Sequence, residues 1–182
     1  MDIFDRVKRI LVEPRDEWVK IAGEPASVQS LYTSWIMILA AIGPIALLVS
    51  MHSLQFAIAQ YVRSLIMTFV LALVVDALAP SFGGTKDFVA SLKLTAYSYT
   101  AAWLAGIFNL FGTLGAVIGL IATIYTLYTF FLGAPALNKA SPDKAVPFTL
   151  VVVMCAIVLF FLARFAFTGV TTPMHPAVGM SI

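Results

Sequence analysis

Charge is what this sequence has least of. Nine acids and eleven bases make up 11% of 182 residues, against about 25% in soluble domains. So few charges cannot cover a soluble globule of this size, and 61% of the residues are hydrophobic. The chain therefore falls in the membrane class. Net charge is only +2 and the bases are scattered, so no nucleic acid is expected as a partner. The single cysteine, Cys155, lies in an apolar run. That excludes a disulfide framework or a cysteine-based metal site within one chain, and the thiol reads as a small buried hydrophobe. The two histidines, His52 and His175, show no metal-ligand spacing. No G-x-S-x-G, H-E-x-x-H or pair of intramembrane acids is present. The residues predict no enzyme, no cofactor and no metal.

What is present is apolar run after apolar run. A membrane helix needs about 20 mostly apolar residues. Five stretches qualify: 31–51, 61–80, 91–110, 112–132 and 147–167. Backbone amides in lipid must bond internally, so these are helices. The predicted fold class is all-α: a polytopic bundle of five transmembrane helices with an amphipathic N-terminal segment over 1–30 and a tail over 168–182. A cleaved leader is not expected, because the first thirty residues are charged and the following run is too long for one.

Lysine and arginine predict the orientation. Nine of the eleven fall on the N-terminal side of the bundle, and Arg63 and Arg164 fall on the other. The positive-inside rule then puts the N-terminus in the cytoplasm and the C-terminus outside. Arg63 and Arg164, near the outer ends of their spans, are expected to snorkel to headgroups.

Within 1–30, Ile3, Phe4, Val7, Ile10 and Leu11 mark one face of a helix that Asp2 caps and Pro14 ends. RDEWVKIAG reads as a second short helix. Such a basic amphipathic segment suits the inner membrane surface, or docks on a partner or on the cytoplasmic loops. Pro44, after Gly43, should kink span one. Gly83-Gly84 lacks phosphate-loop spacing and reads as a flexible turn. Gly115, Gly119 and Thr123 make one small-residue face, and Ser98, Ala102 and Gly106 another. These predict a tight hairpin of spans three and four, with homo-oligomer formation as the alternative. Gly133 and Pro135 are expected to stop span four.

Asp76 is the most informative polar residue. An acid one turn into lipid needs a partner. Depth places it level with Tyr97, Tyr125 and Tyr128, so these four are the candidate polar cluster, with Asp76 accepting a tyrosine hydrogen bond. The favoured function is a non-enzymatic membrane-organising or protein-interaction module. Its partners would be the bilayer, anionic lipid at the cytoplasmic face, and a membrane or cytoplasmic protein. The alternative is a small-solute or ion transporter that uses Asp76 and the Pro44 kink.

Three stretches resemble the Yip domain (Ypt-interacting protein) family of small five-span membrane proteins. They are Leu11-x-x-Pro14-x-x-x-Trp18-x-x-Ile21; Gly83-Gly84-x-x-x-Phe88 followed by Tyr97; and Tyr125-x-x-Tyr128-x-x-x-Leu132-Gly133-x-Pro135, then Ser141-Pro142-Asp143-Lys144-Ala145. The resemblance implies one Yip-like membrane domain over 1–182. Eukaryotic members are linked to Rab GTPases, vesicle traffic and Golgi or ER organisation, and carry a longer N-terminal region. This chain resembles the short prokaryotic members, so GTPase binding is not carried over. Many members place a proline near Ala101, which this chain lacks. The resemblance supplies no catalytic residue.

Overall fold

Pro14 sets the first boundary. It ends one helix, α1 (Ile3–Val12), and takes the first position of the next, α2 (Pro14–Gly23), where its missing N–H is no loss. The computed structural model describes residues 2–171, and among them there is no strand. Asp2 stands at the N-cap of α1 but makes no side-chain cap bond. Ser27 opens α3 (Val28–Met51) through a reciprocal cap, its Oγ accepting from Ser30 N at 3.1 Å while Ser30 Oγ accepts from Ser27 N at 2.9 Å. A π-helical turn occupies Tyr32–Ile36, and the ladder breaks at Ala41. Pro44 accounts for that break, because it has no N–H for the Ala40 carbonyl four residues earlier. The expected kink is thus felt three residues before the proline.

Ser53 caps α4 (Leu54–Leu78), which a 3₁₀ turn extends to Phe82. The helix begins seven residues earlier than the sequence suggests. Arg63 therefore sits about 14 Å inside it, at 1.5 Å per residue, and not near its end. Asp87 caps α5 (Phe88–Ser98), its Oδ1 accepting from Ala90 N at 3.0 Å. The third apolar stretch is not one continuous helix. It turns at Tyr99, resumes as α6 (Thr100–Ala105) and tightens into a 3₁₀ segment over Gly106–Phe111. Thr100 Oγ1 donates to the Tyr97 carbonyl at 2.7 Å, which favours the local turn over the helical ladder. Gly112, with φ of 55°, reverses the chain into α7 (Thr113–Leu137), and α8 (Ala145–Thr171) follows.

Four helices, α3, α4, α7 and α8, are long and apolar enough to cross a membrane. Large apolar side chains such as Leu120, Leu150 and Phe165 stand exposed on them. Water would not tolerate that surface, and lipid does; this is an integral membrane protein. The broken α5–α6 segment is the innermost element. Leu92, Leu94, Thr95 and Ala96 have no exposed surface, and α5 packs against α3, α4 and α7.

Close contacts follow the small residues. Gly115 packs on the Phe108 carbonyl, which makes the predicted hairpin. Gly106 meets Gly43 of α3, where an added Cβ would stand 2.8 Å from the Gly43 Cα. Gly119 has open space around it instead. Span four does not stop at Gly133. It runs through Pro135 to Leu137, and Lys139 then turns at φ 54°. The Gly83-Gly84 turn, expected to be flexible, is tied to the neighbouring loop. Thr85 N donates to the Asn138 carbonyl at 2.8 Å, and Ser141 N donates to the Phe82 carbonyl at 3.3 Å.

Candidate functional site

The N-terminal helices are docked on the bundle. On α1 the inward face is Ile3, Arg6, Val7 and Ile10; on α2 it is Pro14, Glu17, Trp18 and Ile21. Both repeat at i, i+3, i+4, i+7, the spacing of one helix face, and both place a charge at i+3. Phe4, expected on the apolar face, is 77% exposed instead.

The two charges meet. Arg6 Nε lies 3.3 Å from Glu17 Oε1, an ion-pair distance without hydrogen-bond alignment. Its Nη2 donates to both Glu24 oxygens at 2.6 and 2.8 Å. Its Cζ stands 5.9 Å from the centre of the Tyr97 ring. Burial opposes the Arg6 charge, but Glu24, then Tyr97 and Glu17, more than offset it, so the guanidinium pKa is raised. Lys20 Nζ lies 3.7 Å from Glu17 Oε2 on the exposed side.

Lys93 completes the seat. It falls near the start of the third apolar stretch, among the bases counted on the N-terminal side of the bundle. It is inside α5 and buried, because its ammonium donates to the Ile21 carbonyl at 2.9 Å and to the Glu24 carbonyl. A cation there satisfies the end carbonyls of α2 and complements its dipole. Tyr125 of α7 donates to the Leu11 and Ile10 carbonyls at 2.9 and 3.3 Å, and so ties down the end of α1. Trp18 is fully buried where Gly133 leaves room for it; a Cβ at Gly133 would come within 2.6 Å of the indole. Leu94 Cδ1 would be as close, at 2.7 Å, so the glycine near the end of α7 makes room for both.

The structure divides the four residues expected to cluster. Tyr97 is in ring contact with Trp18 at 6.4 Å and Trp35 at 4.7 Å. Tyr125 holds α1, and Tyr128 is half exposed against the Tyr125 ring at 5.8 Å. Asp76 is buried, but its Oδ1 has no hydrogen-bond partner among the described residues, so the expected tyrosine bond is not formed. The Tyr125 hydroxyl is committed to α1 carbonyls, a set of acceptors the sequence reading had not brought into reach. No metal-ligating cluster occurs among the described residues, and His175 lies outside them.

A cavity of about 280 Å³ opens beside the α3 break, lined by Gly43, Pro44, Gln60, Ser64, Asn109 and Thr123. Asp76 does not line it. The arrangement offers docking surfaces and one buried ion pair, Arg6 with Glu17. No curated protein and no solved structure matches this chain. The Yip1 domain family model matches residues 8–164, most of the chain, and the protein belongs to that family.

Proposed function

We propose that the protein is a non-enzymatic interaction or membrane-organising module of a bacterial inner membrane, with α1 and α2 on the cytoplasmic face. One observation carries this reading. The α1–α2 pair is braced internally by Arg6 with Glu17 and Glu24 and tied to the bundle by Lys93 and Tyr125, yet its outer side keeps Phe4, Val12 and Val19 exposed beside Lys8, Arg9, Arg15 and Lys20. A rigid element with exposed apolar side chains among cations suits a protein partner seated against anionic lipid. The nine-to-two split of basic residues supports the orientation. The family is not known for enzymatic activity, which supports the absence of a reaction.

The transporter reading keeps the cavity at Gly43 and Pro44 in its favour and lacks a charge in it. A photo-crosslinking side chain at Val12 or Val19, in native membranes, separates the two. Discrete protein adducts are expected there, and lipid adducts alone at Val158 on α8. The same pattern at both places, or proteoliposome flux abolished by Asp76→Asn, overturns the proposal. Reporter fusions at the two termini test the orientation.

A further inference from the structure

All nine acids stand at one end of the molecule. Six precede Pro25, Asp76 is two residues from the end of α4, Asp87 caps α5 and Asp143 lies in the α7–α8 loop. Arg63 and Arg164 lie in the opposite half, inside their helices. Arg63 is about 20 Å along α4 from Asp76, and Arg164 about 29 Å along α8 from Ala145, at 1.5 Å per residue. They are close enough to repel one another. An intramembrane charge without a counter-ion marks a functional site by default. Among the described residues no carboxylate lies at this depth, and a second copy in the same orientation brings no side-chain carboxylate there either.

The surroundings of Arg63 differ from those of a snorkelling side chain. It is half-buried and lines a cleft of about 180 Å³ between α4 and α8. Gln60, Ser64, Thr68 and Tyr99 form the polar side, and Met67, Leu159 and Phe160 are among the apolar residues. Arg63 Nη2 donates to Gln60 Oε1, a single neutral acceptor for a group with five donors. Ser64 Oγ accepts from Trp103 Nε1 at 3.3 Å, which leaves its own proton to give. The cleft is smaller than the roughly 300–1,000 Å³ of a whole-ligand pocket, but it opens between two lipid-facing helices. It suits an anionic headgroup whose chains remain outside, along the exposed outer side of Phe160.

The geometry points to a binding site for an anionic phospholipid in the leaflet remote from α1 and α2, its phosphate on Arg63 and Ser64 and its chains over the α4–α8 groove. Charge complementarity selects the anion, and the apolar mouth selects a lipid over a free ion.

The test uses the full chain in detergent, with native mass spectrometry counting retained phosphatidylglycerol or phosphatidylcholine. Phosphatidylglycerol is expected to be retained preferentially. Arg63→Gln should lower its retention about tenfold or more, the worth of a charge-assisted hydrogen bond. Ala156→Phe, which fills the cleft and keeps both arginines, should lower it comparably. Leu120→Ala, on the exposed side of α7 and away from the cleft, should leave it unchanged. If Arg63→Gln does not purify, Arg63→Lys and Ala156→Phe decide the matter, Arg63→Lys being expected to retain less lipid than wild type. Equal retention of phosphatidylcholine overturns the proposal, as does wild-type retention in Ala156→Phe. Displacement of phosphatidylglycerol by excess inorganic phosphate would make this a free-anion site and overturn the lipid assignment.

Discussion

The two ends of this molecule handle buried charge in opposite ways. At the α1–α2 end Arg6 faces Glu17 and Glu24, and Lys93 caps two carbonyls of α2. At the far end Arg63 has Gln60 and no acid. The first arrangement is closed and spends its charges on holding two short helices in place. The second is open and leaves a cation for something outside the chain. Helices of ten residues are marginal alone, so α1 and α2 owe their order to that seat. The comparison therefore makes the near end a structural lock and the far end a binding site.

The largest break in the comparison should come from Arg6→Ala. It leaves Glu17 buried beside an empty space, and breaking a buried pair typically costs about 3–5 kcal/mol. The expected result is release of α1 and α2, read as fast proteolysis at Arg15 and Lys20 in an otherwise intact bundle. Arg6→Met with Glu17→Met should recover most of the loss, because two apolar groups need no counter-charge. A double variant as labile as the single would show that charge pairing is not what holds the helices.

Lys93→Met comes next. It removes the donor from two α2 carbonyls, at about 1.5–3 kcal/mol for a charged hydrogen bond, and the same proteolysis assay reads it. Gly133→Ala acts through shape alone. Its Cβ would crowd the Trp18 indole, and overpacking of this kind costs about 1–3 kcal/mol. Trp18→Phe in the same chain should relieve part of the loss in thermal unfolding; no relief would mean that the glycine serves α7 and not the dock. Tyr125→Phe is smaller still, about 0.5–1.5 kcal/mol for one neutral hydrogen bond to α1.

Much of the bundle was legible because lipid imposes a length and a composition on a helix. Four of the five runs read from hydropathy are helices long and apolar enough to cross a membrane. The fifth is broken because it is shielded by the others. Thr100 and Gly106 interrupt it where protein, not lipid, surrounds the backbone. The N-terminal seat was written in the spacing Ile3-Arg6-Val7-Ile10 and Pro14-Glu17-Trp18-Ile21. A face defined by apolar residues alone passes over it, since the charge at i+3 is the part that pairs. Gly133 followed by Pro135 reads locally as a helix stop, and only the docked Trp18 shows that the glycine is there for room. The partners of Asp76 were not legible, because matching depth along helices does not settle which way a hydroxyl turns.

Asp76 is the exception that sharpens the comparison. It lies at the end where charges are paired, yet its Oδ1 is buried without a partner. A buried acceptor left alone is a liability of about 1–3 kcal/mol. Removing it should therefore not weaken the fold. Asp76→Leu, close in size, is expected to leave the unfolding temperature unchanged or to raise it, and Asp76→Asn to change it least of all. A clear loss of stability in Asp76→Leu would mean that the carboxyl has a partner in the membrane, and the closed end would then be closed throughout. Stable Asp76→Leu protein that had lost its crosslinks at Val12 and Val19 would mean something different: a costly acid kept for what it does. In that case the near end, like the far one, would carry a charge directed at something outside the chain, and the division between lock and site would fail at this residue.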